Sequence, residues 1–192
     1  MNSHFFAYLS RMKLIKRWSL MRNVLPENIQ EHSLQVAMIA HALAVISNKY
    51  FAGDVDPQEV AVLAIYHDAG EVVIGDLPTP VKYYNPEINI AYKEIEKVAK
   101  DKLLSLLPAE LRPDFAPLFS PSPGKAADLV KAADKISAYA KCLEETAAGN
   151  GEFAQAEKTI KKELDKYAKM PEVEYFVDKF IPSFKLTIDE MD

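Results

Sequence analysis

The spacing of apolar residues predicts a chain built of helices. Apolar side chains recur every three or four positions over residues 28–48, 57–74, 87–107 and 125–148, which places them on one face of each helix. No stretch alternates apolar and polar residues over the length of a strand. We therefore predict an all-α fold.

Two of these helices begin with recognisable capping residues. Asn28 and Glu31 have the spacing of a capping box, with Asn in the position usually held by Ser or Thr. Asp56 followed by Pro57 is a typical helix start, with the cap first and proline in the first turn. The pattern thus fixes the starts of the second and third helices.

Residues 1–20 predict a packed first helix that ends near Arg17 and Trp18. A membrane-surface helix or a targeting segment is an alternative, because basic residues surround its apolar stripe. The stripe consists of Phe5, Leu9, Met12 and Ile15.

Prolines and charged residues shape the remaining segments. Residues 76–80 read Asp-Leu-Pro-Thr-Pro, and two prolines predict a rigid, non-helical turn. Five prolines break residues 108–123 into short helices and turns. The helices over about 152–169 and 171–180 are charged, and we expect them to be peripheral. A length of 192 residues fits one domain, 1–192, with a core of about 28–148 and peripheral C-terminal helices over about 152–192.

Charge and composition exclude several classes of function. The net charge is −5 without a long basic run, which argues against a nucleic-acid-binding surface. No apolar run approaches the ~18 residues of a membrane span. The single Cys142 cannot form an intrachain disulfide, which favours a reducing, cytoplasmic location.

Ionisable residues on apolar helices are the candidate functional groups. His67 and Asp68 are adjacent, and Glu71 follows one helical turn later on the same side. His32 lies on the apolar stripe of one other helix, and Asp134 on that of another. Hydrogen bonds or capping within a packed bundle would explain His67 and Asp68 without a ligand. Salt bridges to Lys131, Lys135 or Lys141 would do the same for Asp134.

The order His, His-Asp, Asp on separate helices resembles the HD-domain phosphohydrolases. The surrounding sequence is similar to the YfbR-type 5′-deoxynucleotidases through most of the chain. The segments that carry this resemblance are SHFFAYLSRMKLIKRWSLMRN, NIQEHSLQVAMIAHALA, AIYHDAGEVVIGDLPTPVKYYNP and LVKAADKISAYAKCLEE.

The resemblance implies a helical bundle with a metal site in its core. The implied ligands are His32, His67, Asp68 and Asp134. Two imidazoles and two carboxylates suit a divalent transition metal, cobalt or manganese first, with zinc, nickel, copper or iron as alternatives, rather than magnesium or calcium. Glu71 would act as a general acid or base.

The resemblance also implies the substrate and its contacts. It points to Arg17 and Trp18 and to the turn of Asp76, Leu77, Pro78 and Thr79 as nucleotide-binding residues. The implied reaction is hydrolysis of 2′-deoxyribonucleoside 5′-monophosphates, with little base preference, by a homodimer. The forked guanidinium of Arg17 would clamp the phosphate, and Asp76 would accept a hydrogen bond from the 3′-hydroxyl. Core packing for Trp18 and an ordinary turn for residues 76–79 are the simpler alternatives.

Other activities fit the same motif. An HD enzyme could act on nucleoside di- or triphosphates or on cyclic nucleotides, although the sequence has no evident Arg/Lys-rich pocket for a longer phosphate chain. A redox HD enzyme would need further histidines for a second metal. A regulatory domain with a structural metal would not require Glu71 or Arg17 at the site.

Overall fold

The computed structural model describes residues 2–82 and 84–191, and these residues form helices and turns without a strand. The prediction of an all-α fold is confirmed. The α-helices are α1 (Phe5–Leu9), α2 (Ile29–Tyr50), α3 (Pro57–Tyr66), α4 (Glu71–Ile74), α5 (Thr79–Lys82), α6 (Pro86–Ser105), α7 (Arg112–Phe119), α8 (Lys125–Ala147), α9 (Ala154–Leu164) and α10 (Pro171–Phe180). Short 3₁₀ helices cover Ser10–Leu14, Ala109–Leu111, Gly151–Phe153, Asp165–Tyr167, Ile181–Lys185 and Ile188–Glu190. None of the described helices is both long and apolar enough to cross a membrane.

The predicted helix starts are confirmed. The Asn28 side chain accepts the N–H groups of Gln30 and Glu31, and the Glu31 carboxylate accepts the N–H of Asn28. Asp56 caps α3 by accepting the N–H of Gln58 at 2.8 Å. Each cap satisfies N–H groups that have no partner within the helix.

The helices bury two apolar clusters. In the first, α2 packs against α3 and α8, and α10 packs on α2. The second joins α1, its 3₁₀ extension, α6 and α7. Its buried members are Phe5, Met12, Ile29, Ala69, Leu103, Leu107 and Phe119.

The two clusters meet where the candidate ligands lie. Along α2, Ile29 belongs to the second cluster and Val36 to the first, with His32 between them. Ala64, in the last turn of α3, belongs to the first cluster and Ala69, beyond that helix, to the second, with residues 67–68 between them. The candidate ligands therefore lie along the seam between the two apolar clusters.

The C-terminal helices are less peripheral than predicted. Val173 and Phe176 of α10 and Leu164 of α9 are buried in the first cluster. Even Glu172 is 1% exposed, and it pairs with Lys125 at the start of α8. Apart from Glu172, the charged residues of α9 and α10 are partly or fully exposed, on amphipathic helices whose other side completes the core.

The first helix is shorter than predicted. It ends at Leu9, continues as the 3₁₀ helix Ser10–Leu14, and is followed by an extended segment. There Lys16 pairs with Asn28 in an antiparallel bridge, and the Ile29 N–H donates to the Ile15 carbonyl at 3.0 Å. Residues 15–17 thus pair with residues 27–29, whereas the Ile15 N–H donates to the Met12 carbonyl of the 3₁₀ helix.

The helix carrying His67 is interrupted. We expected it to run through Glu71 to Gly75, but α3 ends at Tyr66 and α4 begins at Glu71. The Ala69 N–H donates to the Tyr66 carbonyl and the Glu71 N–H to the Asp68 carbonyl. These bonds join residues three positions apart, instead of four as in an α-helix. This tighter turn changes the directions in which residues 67 and 68 project.

The proline-rich turn is helical in part. Residues 75–78 are non-helical as predicted, but Thr79 opens α5. The Pro78 carbonyl accepts the N–H groups of Val81 and Lys82, at 2.9 and 3.0 Å. Pro80 is compatible with a helix here because the first turn needs no N–H donor.

Candidate active site

His32, His67 and Asp68 form a compact group of ligand atoms that all lie within 4.8 Å of one another. Asp68 Oδ2 is 3.2 Å from His67 Nε2 and 3.6 Å from His32 Nε2. Asp134 joins from α8, with its Oδ1 3.1 Å from His32 Nε2. The structure therefore brings together the four residues that the sequence analysis proposed as ligands.

A chain of hydrogen bonds orients His32. Its ring is fully buried, and Nδ1 lies 3.2 Å from Ser137 Oγ. The Ser137 hydroxyl donates to Gln35 Oε1 at 2.7 Å, so its oxygen is left to accept the N–H of His32 Nδ1. In this tautomer His32 Nε2 carries a lone pair, directed at the carboxylate oxygen of Asp134.

The backbone orients His67 in the same way. His67 Nδ1 donates to the Ala64 carbonyl at 2.7 Å, which leaves Nε2 as the lone-pair nitrogen. That Nε2 is buried without a hydrogen-bond partner, although Asp68 Oδ2 is nearby. Both imidazoles thus direct Nε2 towards carboxylate oxygens, and in the neutral ring this nitrogen carries the lone pair.

The electrostatics favour a positive charge among these four residues. Burial alone lowers the pKa of His67, but the charge of Asp68 outweighs it and raises the pKa to about 9. Burial alone would raise the pKa of Asp68 and Asp134, but the neighbouring imidazoles hold both well below their usual range. In the metal-free protein a proton supplies the positive charge. A divalent metal fits the same four atoms, since each is a deprotonated donor.

Glu71 lies close enough to Asp68 to interact with it electrostatically, but it is not one of the four candidate ligands. Its side chain is buried, and Oε2 has no hydrogen-bond partner. Burial, and then the charges of Asp68 and Asp76, raise the pKa of Glu71 to about 9. A carboxyl whose pKa is raised this far is a typical general acid or base.

Arg17 lies on another side of the cluster. Its Nη1 is 3.5 Å from Asp68 Oδ2, and its Nε donates to Glu27 Oε2 at 3.0 Å. Next to it, Trp18 Nε1 donates to the same Glu27 oxygen at 3.1 Å. Trp18 is only half-buried, with its ring 5.3 Å from that of Phe153, so simple core packing does not describe it.

Trp18 has a left-handed backbone, with φ of 55°. This conformation is unfavourable for a residue with a large side chain, so its surroundings must hold it. The Trp18 carbonyl accepts the N–H of Met21 at 2.9 Å and the side-chain amide of Asn23 at 3.3 Å. The local turn thereby holds the backbone of Trp18, from which the indole projects, in this conformation.

The turn after α4 approaches the cluster through Asp76. Burial raises the pKa of Asp76, while the charge of Arg17 acts in the opposite direction and that of Asp68 in the same one. Leu77 and Pro78 are half-buried, and Thr79 is exposed. The assignment of these residues to the nucleotide stays a prediction.

The residues that orient the site were not among those predicted from the sequence. Ser137 follows Asp134 by three positions on α8, and Gln35 follows His32 by three on α2, so helical spacing could have indicated both. Glu27 carries no such signal, because it meets Arg17 through pairing of two extended segments. Among the lysines considered for Asp134, Lys135 lies 3.6 Å from it, whereas Lys141 pairs with Glu145.

Similar proteins of known structure share this fold. An HD-domain phosphohydrolase from Listeria innocua is 24% identical, with a TM-score of 0.84 over 94% of this chain and 88% of its own. The HD phosphohydrolase of cyanophage S-2L, bound to dA and one catalytic zinc ion, is 18% identical, with a TM-score of 0.67 over 92% of this chain and 96% of its own. Both likenesses support the fold.

Sequence relatives are much closer. A 5′-deoxynucleotidase of Vibrio parahaemolyticus is 59% identical over 98% of both chains. One of Erwinia tasmaniensis is 55% identical over 99% of this chain and 96% of its own. The model of the family described as 5′-deoxynucleotidase YfbR-like matches residues 4–184. The chain therefore belongs to the YfbR-like 5′-deoxynucleotidase family.

Proposed function

We propose that this protein is a metal-dependent phosphomonoesterase that hydrolyses 2′-deoxyribonucleoside 5′-monophosphates to deoxynucleoside and phosphate, with little preference among bases. The observation that carries the proposal is the composition of the site. A buried carboxyl with a free oxygen and a guanidinium flank a His/Asp cluster that could hold a metal ion. Family membership supports the same reaction.

The metal would be held by His32, His67, Asp68 and Asp134. When bound, it supplies positive charge for a phosphate oxygen and lowers the pKa of a water molecule. Mixed imidazole and carboxylate donors favour cobalt or manganese in our proposal, with zinc, nickel or copper as alternatives.

Glu71 would move the proton. Its ionised form can accept a proton from the attacking water, and its protonated form can donate one to the departing 5′-oxygen. The raised pKa makes the protonated form accessible at neutral pH. The pH profiles of kcat and kcat/KM, compared with those of Glu71→Gln, would distinguish an acid from a base.

Arg17 and Asp76 would fix the two ends of the substrate. The Arg17 fork faces the cluster and can bind the phosphate through two N–H groups. Asp76 is close enough to interact electrostatically with Arg17 and can accept a hydrogen bond from the 3′-hydroxyl. Trp18, Leu77, Pro78 and Thr79 would then enclose the sugar between them.

A nucleotide panel tests the reaction. Metal-stripped protein is supplied with cobalt, manganese, zinc or magnesium, and phosphate release is measured from deoxy- and ribonucleoside mono-, di- and triphosphates and cyclic nucleotides. We expect phosphate mainly from deoxynucleoside monophosphates, with cobalt or manganese most active. Pyrophosphate or triphosphate as the main product, or opening of a cyclic nucleotide, would replace this proposal with an alternative HD activity.

A homodimer is proposed for the assembly. Leu34 and Met38 on α2 and Val62 and Ile65 on α3 are exposed, as is Ile188 near the C-terminus. Exposed apolar groups on two helices that pack together are typical of an interaction surface. Light scattering of Met38→Glu against wild type checks this, since a charge in a buried interface should give monomers.

The proposed location is the cytoplasm. Cys142 is buried and free, as suits a thiol that neither pairs nor reacts. Burial also raises the pKa of Cys142 to about 12, which keeps it in the unreactive thiol form. Fractionation of the native cells would check the location.

A further inference from the structure

Glu27 is bonded to Arg17 twice. The Arg17 N–H donates to the Glu27 carbonyl, and Arg17 Nε donates to the Glu27 carboxylate, both at 3.0 Å. The flanking bridge between Lys16 and Asn28 keeps these two extended segments in register. Backbone pairing therefore holds the Glu27 carboxylate beside Arg17 in the absence of a substrate.

One oxygen of that carboxylate serves two residues. Glu27 Oε2 accepts from Arg17 Nε and, at 3.1 Å, from Trp18 Nε1. The side chains of Arg17 and Glu27 are each 12% exposed, so this contact is largely shielded from water. A charged hydrogen bond in such a setting is stronger than one at the open surface.

The contact decides which edge of the guanidinium remains available. With Nε committed to Glu27, a bidentate grip on a phosphate has to use the Nη1 and Nη2 edge. Nη1 is the atom that points towards Asp68, at 3.5 Å. The available edge is thus the one that faces the metal ligands.

The contact also fixes Trp18 relative to Arg17. The indole leaves a left-handed backbone, and its N–H ends on the oxygen that holds the guanidinium. The phosphate-binding group and the planar wall of the sugar pocket cannot then move independently.

We propose that Glu27 is a positioning residue that locks Arg17 and Trp18 into one rigid unit and thereby couples phosphate orientation to sugar selectivity. This inference rests on the proposed function, but part of its test does not. Trp18 is the sole tryptophan of the chain, so tryptophan fluorescence reports on this side chain alone.

The test compares Glu27→Ala with Glu27→Gln, whose amide oxygen can still accept from both donors. In Glu27→Ala, acrylamide should quench Trp18 more strongly, and the emission should shift to longer wavelength. We expect kcat/KM for a deoxynucleoside monophosphate to fall by about tenfold to a hundredfold, the cost of a misplacement of about 1 Å. The ratio of deoxy- to ribonucleotide kcat/KM should fall as well. Glu27→Gln should restore most of each quantity.

A matched control is Glu152→Ala. Glu152 binds another arginine of the same loop, the exposed Arg22, and among the described residues it forms no hydrogen bond or ion pair with Arg17 or Trp18. It should keep wild-type fluorescence and selectivity. A double-mutant cycle adds a second check, since Glu27→Ala should cost little once Arg17 is already alanine.

Two results would overturn the proposal. One is a Glu27→Ala protein with wild-type quenching and selectivity, and the other is an equal loss on both sugars with an additive double-mutant cycle. A wild-type enzyme inactive on every nucleotide would contradict the proposed function instead. The fluorescence comparison would still decide whether Glu27 holds Trp18.

Discussion

At the scale of single residues, the surroundings of Glu71 strongly alter its chemistry. It is buried beside two carboxylates and has an unpartnered oxygen. We expect Glu71→Ala to retain the metal and to lose kcat by roughly 10² to 10⁴, the usual contribution of a general acid or base. Metal analysis beside the kinetics checks this, and a Glu71→Ala protein that is purified without metal would make Glu71 a ligand.

Trp18 provides a second prediction at this scale. An apolar wall rejects an added hydroxyl by about 10² at most unless it is held rigidly. Trp18→Ala should therefore lower activity on deoxynucleotides and reduce the ratio of deoxy- to ribonucleotide kcat/KM towards one. Trp18→Phe is the control, because it keeps a planar ring but loses the N–H that Glu27 accepts. An unchanged ratio in Trp18→Ala would place selectivity elsewhere, with Asp76 and Thr79 the next candidates.

The sequence predicted the residues of the site better than their arrangement. His32, His67 and Asp134 could be proposed because ionisable groups on apolar helical stripes need a partner, and Asp68 because it is adjacent to His67. The left-handed backbone of Trp18 and the contact of Arg17 with Glu27 could not. The contact depends on the pairing of segments ten residues apart and the Trp18 backbone on a local turn, and no periodic pattern encodes either.

At the scale of elements, the candidate ligands come from α2, from the turn after α3 and from α8. A metal bound to the folded state alone adds about 2.7 kcal/mol at a hundredfold excess over its dissociation constant. Adding cobalt or manganese to stripped wild type should raise the melting temperature, with little response in His67→Ala. An equal response in both proteins would contradict the ligand assignment.

The end of α8 makes a second connection between elements. The Glu145 carboxylate is fully buried, and it accepts the N–H groups of Val24 and Leu25 and the amide of Asn150. Lys141 pairs with Glu145 and donates to the Leu25 carbonyl. The loop that leads from Trp18 to Glu27 is thus fastened to the helix that carries Asp134.

This fastening should depend on pH. Burial raises the pKa of Glu145, but hydrogen bonds from Lys141 and Asn150 outweigh it and lower the pKa to about 2. The folded state therefore binds the proton less readily than the unfolded chain, whose pKa is near 4.5. The stabilisation is complete above that pH and is lost as the pH falls towards 2.

The comparison is the free energy of unfolding of wild type and Glu145→Gln from pH 6 to pH 2.5. Wild type should be the more stable at pH 6, and the difference should shrink as the pH falls. A difference independent of pH would show that Glu145 is not the titrating group. Glu145→Ala should cost more than Glu145→Gln, roughly 3 to 5 kcal/mol, because it leaves Lys141 buried without its partner.

At this scale the capped helices were predictable and the breaks between them were not. The helix starts at Asn28 and Asp56 can be predicted because the capping hydrogen bonds join residues that are close in sequence. The interruption between Tyr66 and Glu71 has no glycine or proline at its start. We infer that the approach of His67 and Asp68 to the other ligands favours it, a requirement that exists only in three dimensions.

At the scale of the whole molecule, the candidate site lies on the seam between two apolar clusters. His32 separates them along α2, and residues 67–68 separate them after α3. A bound metal should therefore join the two clusters as well as the helices. We expect metal to slow amide exchange in α6 and α7, which contain none of the ligands, as well as in α2 and α8. Protection confined to α2, α3 and α8 would show that the site stabilises the first cluster alone.

The spacing along α8 has a consequence for how this chain can change in length. Asp134 and Glu145 are eleven residues apart, which is close to three helical turns and about 16 Å, so both lie on the same face. Inserting or deleting one residue between them would rotate one by about 100° relative to the other. Either change would move the candidate ligand Asp134 relative to the loop that presents Arg17, even if every side chain were kept. This stretch of helix therefore sets the distance and the angle between Asp134 and Glu145. Length variation should be tolerated in the loops around it but not within it.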